Sequence, residues 1–147
     1  MITLQPVDRN NWVACTRLSL HRDQQGFVAG NLETIAQSKF EAHFHLRAIY
    51  QNEVLSGMLA FCHENDPEDL ELFWIFRLMI DKVYQGRGLG FAAMKLAIDE
   101  MTALGAKRIR TMHKSENVVA SSLYRKLGFT QTQEILDDGD VVLELTL

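Results

Sequence analysis

A chain of 147 residues is enough for one domain that buries roughly 70% of the surface its unfolded form would expose, and it leaves no second domain to explain. With 47% hydrophobic residues, 23% charged residues and two prolines, its make-up is that of a chain folding throughout, against a Pro-rich linker or a low-complexity tail. The net charge of -4 runs against a nucleic-acid partner, which is normally met by a concentrated basic surface, and suits a cationic small molecule better.

Residues 2–7 alternate apolar and polar like a half-buried strand, and Asn10 or Asn11 offers an N-cap before Trp12, Cys15 and Leu18 at helical spacing. Asn31 is expected to cap a second helix with Leu32, Ile35, Ala36 and Phe40 on one face. Phe44, Leu46 and Ala48 alternate toward Tyr50, the turn Gln51-Asn52-Glu53 follows, and residues 54–61 resume as the paired strand. An acidic loop over 64–71, containing Pro67, is predicted to separate this hairpin from 72–80, a nearly continuous apolar run with the character of a central strand covered on both faces. From Leu89 the apolar positions Ala92, Ala93, Leu96, Ala97, Met101 and Leu104 recur every three or four residues, with Gly105 placed as a C-terminal cap. Residues 108–112 read as a strand, 117–127 as a helix closed by Gly128, and 129–135 with 141–147 as strands joined at Asp137-Asp138-Gly139-Asp140.

No apolar run approaches the roughly 18 residues of a membrane-spanning helix, and Met1 to Pro6 lacks a basic segment followed by an apolar one, so the expectation is a cytoplasmic protein without a membrane partner. Cys15 and Cys62 stand alone and are expected to be reduced core thiols. His43, His45 and His63 lack the spacing of a ligand set, so no metal is expected, and without a G-x-S-x-G elbow a serine hydrolase is not supported.

The sharpest local signal is Gln85-Gly86-Arg87-Gly88-Leu89-Gly90, between the apolar strand and the amphipathic helix. Alternate glycines let a ligand approach the backbone, and their amides with the helix N-terminus make a site for phosphate or pyrophosphate. Phe91 stands where the dinucleotide fingerprint needs its third glycine, and the chain has no Gly-Lys pair for a nucleoside-triphosphate loop. A glycine turn that merely packs helix on strand is the structural alternative. The second signal runs from Asn117 through Leu123-Tyr124-Arg125-Lys126-Leu127-Gly128-Phe129; alone it is a capped helix in which Tyr124 is either a core aromatic or a catalyst.

Together the two segments resemble the GCN5-related N-acetyltransferase (GNAT) superfamily, with its Q/R-x-x-G-x-G/A loop and downstream N…LY-x-K-x-GF helix, and the order of elements is similar over the whole chain. The run 27–32 and the segments 35–40 and 74–81 look like those of bacterial spermine/spermidine acetyltransferases. The resemblance implies an α/β fold with a mixed, mostly antiparallel sheet splayed at the central strand, acetyl-CoA as cosubstrate, a small amine such as a polyamine as acceptor, and a homodimer. It places Leu78, Met79 and Ile80 along the pantetheine arm. Gln85, Gly86, Arg87, Gly88, Leu89, Gly90 and Phe91 fall at the pyrophosphate, Asn117 on the pantetheine and Tyr124 at the thioester sulfur.

On that reading the amine attacks the thioester directly, a central-strand amide holds the oxyanion, and Tyr124 protonates or hydrogen-bonds the departing thiolate. Relatives that carry carboxylates on the central strand are not matched, since Phe76 and Arg77 stand there. Glu41 and Glu71 are candidate bases, each with a solvated surface position as its alternative, and a water relay is a third route. Trp74 with Phe73 is a candidate lining for an aliphatic polyamine chain, or core; the acidic loop is a candidate attractor for a polycation, or simply solvated. A protein or antibiotic N-acetyltransferase and a non-catalytic acetyl-CoA sensor are the rival readings.

Overall fold

The structure, a computed structural model, describes residues 1–27 and 30–147. Val28 and Ala29 of the run 27–32 therefore lie outside the described residues. The alternating start forms β1 (Ile2–Pro6), antiparallel to β2 (His45–Gln51). β2 turns through Asn52, at φ 55°, into β3 (Val54–Asn65), and β3 pairs antiparallel with β4 (Glu68–Ile80). β5 (Arg108–His113) runs parallel to β4. β6 (Thr130–Ile135) and β7 (Val141–Thr146) complete a sheet in the order β1-β2-β3-β4-β5-β7-β6. The apolar run thus takes the fourth of seven places, where both of its faces can be covered.

Alternation along β3 divides two cores. Leu59 and Phe61 pack with Phe73 and Ile75 beneath α3 (Leu89–Ala103) and α4 (Val118–Lys126), while Met58 and Ala60 join Cys15, Leu46 and Ala48 on the side of α1 (Trp12–Thr16) and α2 (Asn31–Ser38). Leu89, Ala93, Met94, Ala97 and Met101 form the buried stripe of α3; Leu104, expected in it, is exposed beyond the helix end.

Two local expectations are corrected. Gly30, not Asn31, is the N-cap of α2, because the Asn31 Nδ2 donates to the Cys15 carbonyl at 2.8 Å and stitches α1 to α2. On α2 Leu32 is exposed and Thr34 is buried, accepting from the Arg77 Nε at 3.2 Å, and Phe40 is exposed beyond the helix end. Residues 64–71 are not a loop: β3 and β4 continue almost to the Asp66-Pro67 turn. Three of their five carboxylates are engaged, Asp69 with Arg108 at 3.8 Å, Glu71 with Lys107 at 2.8 Å and Glu64 with the Trp74 Nε1 at 2.9 Å. The polar composition reflects exposure of this hairpin end rather than missing strand.

β4 and β5 pair only from Leu72↔Arg108 to Ile75↔Thr111. At that point β4 carries a bulge, since Ile75 faces Phe61 and Arg77 faces Ala60, leaving Phe76 without a partner position on β3. Beyond it β4 stays with β3 while β5 stays with β7, so the sheet forks. The β3 side of the fork depends on Gly57, where an added Cβ would lie 2.5 Å from the Met79 carbonyl oxygen and 3.0 Å from the Ile80 Cδ1. Gly57→Ala is expected to push β3 from β4 and destabilise the fold by about 1–3 kcal/mol, read as a fall of several degrees in Tm.

Candidate active site

The fork leaves one side of Leu78, Met79 and Ile80 without a strand neighbour. Every second residue of such a strand presents its N–H and C=O to that side, a ready ladder for an extended ligand. The opening continues into a cleft of about 780 Å³, the size of a small-molecule site. Leu78, Met79, Ile80, Gln85, Gly86, Gly88, Leu89, Gly90, Phe91, Asn117 and Tyr124 all line it, so residues of β4, the glycine loop, α3 and α4 meet around one cleft.

One mouth of the cleft is the glycine loop. Gly86 and Gly88 adopt φ of +79° and +77°, and open space lies where a Cβ would stand on each, so a side chain there would fill the cradle rather than strike the fold. Among the described residues, Ala92 is the first amide met within the helix, by the Gly88 carbonyl at 3.1 Å, and the amides just before it have no backbone partner and can bind an anion. Gln85 is held by exchanging amide hydrogen bonds with Gln24 at 2.9 and 3.0 Å and by donating to the Ile80 carbonyl at 2.9 Å. Its side chain therefore braces the loop against the 3-10 turn Arg22–Gln24. The Arg87 guanidinium turns away, reaching the Val83 carbonyl at 3.4 Å and the Tyr84 ring at 5.6 Å, so only the Arg87 backbone belongs to the loop.

At the apex of the fork the Thr111 hydroxyl donates to the Ile75 carbonyl at 2.9 Å. Tyr124 packs there between the rings of His113 and Phe129, at 6.2 and 5.9 Å. Burial raises the Tyr124 pKa above the usual phenol value, while the nearby Thr111 hydroxyl acts the other way, so the phenol is a protonated donor across the physiological range. Asn117 caps α4 by accepting from the Ala120 amide at 3.1 Å, which leaves its Nδ2 donors for a ligand. Gln24, Phe27, Met112 and His113 also line the cleft and were missed by sequence reasoning. Only the register of β5 against β7 reveals that the strand continues to His113 and which residues face the opening.

The proposed acceptor residues are not assembled there. Glu71 is tied to Lys107 at the surface, Glu41 is exposed 3.8 Å from His43, and Trp74 lies under the Arg110 guanidinium at 5.8 Å. Phe73 is core. Glu134 and Glu144 pair with Arg110 at 3.1 and 2.8 Å. A second concavity of about 660 Å³, between α1, α2 and the start of β2, lacks the glycine loop, the helix N-terminus and the open strand edge.

The sequence profile of the acetyltransferase (GNAT) family matches residues 10–129. The chain belongs to this family. It is accordingly an acyltransferase enzyme. Among relatives of the acetyltransferase, a spermine/spermidine N(1)-acetyltransferase of Bacillus subtilis (strain 168) is 26% identical over 147 residues, covering 97% of this chain and 96% of that protein. A mycothiol acetyltransferase of Corynebacterium glutamicum (strain R) is 26% identical over 110 residues, 75% of this chain and 36% of that one. The fold is shared with an aminoglycoside acetyltransferase solved with coenzyme A, at TM-score 0.83 and 13% identity over 99% of this chain and 95% of that one. No helix among the described residues is long and apolar enough to cross a membrane.

Both thiols of the acetyltransferase are free and buried. Burial, with Asp8 adding, pushes the Cys15 thiol up to about 11; burial, with Glu64 and Glu41 adding, pushes Cys62 up to about 12. At pH 8 no more than about one molecule in a thousand carries either thiolate. The folded protein is therefore expected to show no fast reaction with a thiol reagent, and two reactive thiols after unfolding; fast labelling of the native protein would contradict this burial.

Proposed function

We propose that this acetyltransferase moves an acetyl group from acetyl-CoA to a small amine of the polyamine class. The observation that carries the donor half is the fork between β4 and β5, with a free strand edge along one wall, a glycine cradle at a helix N-terminus and a protonated phenol at the apex. In this reading the backbone of Leu78, Met79 and Ile80 pairs with the pantetheine arm, and the amides from Gly86 to Phe91 hold the pyrophosphate. The Asn117 Nδ2 donates to an arm carbonyl. Acetyl-CoA supplies the thioester; the chain supplies alignment, exclusion of water and the Tyr124 proton.

The acceptor half rests on the activity named for the Bacillus subtilis relative and on the net charge. An aliphatic amine is unprotonated in about one molecule in several thousand at pH 7, so its proton must leave before attack. Neither Glu41 nor Glu71 reaches the apex, which favours a water path over a direct carboxylate base.

Coenzyme A thiol release is the test, with spermidine, spermine, diamines, aminoglycosides, amino acids and short peptides as acceptors. Release with polyamines supports the proposal. Release only with amino acids or peptides keeps the transfer chemistry and replaces the acceptor, and binding of acetyl-CoA without release for any acceptor supports a sensor.

A further inference from the structure

The mouth of the cleft opposite the glycine loop opens onto the α1 and α2 side of the sheet. Met79 stands across from Met58, and cross-strand neighbours share a face, so Met79 lies on the side where Met58 packs with Cys15. Side chains alternate along β5, and Ile109 belongs to the core beneath α3 and α4, so Met112 lies on the α1 and α2 side as well. Leu20 and Phe27, from the segment between α1 and α2, complete this mouth; they and Met112 are half-buried and keep surface that a ligand can reach. The segment is tied to the end of β4, the Ser19 amide donating to Asp81 at 2.9 Å and the Ser19 carbonyl accepting from the Lys82 amide at 2.7 Å, so the wall exists before any ligand arrives. Among the described residues no aspartate or glutamate lines the cleft, and the charged lining residue is Lys126, a cation on α4. Asp81, which follows the open edge, accepts from the Ser19 and Val83 amides through its two oxygens. An ammonium drawn between such walls loses water without gaining a counter-charge, whereas each methylene laid against them is favourable.

We infer that this mouth selects a primary amine carried on a long uncharged carbon chain, with any second ammonium standing beyond the walls. The inference rests on the reading of transfer to a small amine and narrows its acceptor: wide spacing between charges is favoured over narrow.

The test compares kcat/KM, from coenzyme A thiol release, for n-alkylamines of rising length and for the α,ω-diamines that match them. The expected result is a rise of about fourfold for each methylene that enters the walls. Short diamines should fall roughly tenfold or more below their matched monoamines, with the gap closing as the chain lengthens. Met112→Glu, which supplies a counter-charge, should raise the short diamines about tenfold relative to the monoamines, and Met112→Gln, of equal size, should not. The wild-type series decides alone if a variant fails to fold. Short diamines or spermidine turned over as well as the matched monoamines would overturn the inference and leave the polyamine reading standing, and rates independent of chain length would overturn it too. Release with no amine of either series would remove the small-amine reading, and the inference with it.

Discussion

Replacing Tyr124 by Phe is expected to lower kcat about a hundredfold while leaving the affinity for acetyl-CoA within about threefold. The phenol stands at the apex of the fork, is 6% exposed, and is kept protonated by burial. Its hydroxyl is thus available where a thiolate must leave, and an interaction realised mainly in the transition state appears in kcat rather than in binding. Phe preserves the ring that packs between His113 and Phe129, so the core should survive with a loss of about 1 kcal/mol for the missing hydrogen bond. An unchanged kcat would remove Tyr124 from the chemistry and leave it as a core residue; a collapse of Tm would show that the hydroxyl holds the fork together.

The largest expected effect on binding comes from Gly88→Asp, with Gly88→Asn as its isosteric partner. Gly88 sits at φ +77° with no atom within 4 Å of an added Cβ, so the fold needs its backbone conformation but not its small size. Asn and Asp are the side chains that tolerate this conformation best, and both would project into the same cradle. They differ by one negative charge. If the loop binds pyrophosphate, that charge should raise the Kd for acetyl-CoA at least tenfold beyond the Asn variant. Both variants carry the strain of a side chain at positive φ, so the comparison is between them: the added charge at the N-terminus of α3 favours the helix, and the Asp variant should melt at or above the Asn variant as its affinity falls. Opposite signs in stability and affinity are the mark of an anion site; equal affinities for the two variants would mean that the loop only packs α3 on β4.

What could be read in advance follows from how local each signal is. The glycine loop, the stripe of α3 and the apolar centre of β4 are each written within about fifteen residues, and with Asn117 and Tyr124 they line one cleft. The acceptor side is different. Glu71 is neutralised by Lys107, Glu64 is bound by Trp74, and Glu134 and Glu144 are bound by Arg110, pairings made across strands that spacing along the chain does not reveal. Thr34 and Asn31 have the same character, their burial and contacts decided by Arg77 and Cys15 rather than by helical periodicity. His113 was hidden because the predicted strand stopped one residue short of it.

Hydrogen exchange with and without acetyl-CoA tests most directly that the fork is where the coenzyme lies. Amides of residues 78–80 that face the opening, and those of 86–91 at the loop and helix start, have no partner on that side among the described residues and should exchange fast in the free protein. Saturating acetyl-CoA is predicted to slow exchange in these two segments and around Asn117, and to leave the concavity beside α2 unchanged. Protection at α2 with none at residues 78–91 would contradict the account and place the coenzyme elsewhere.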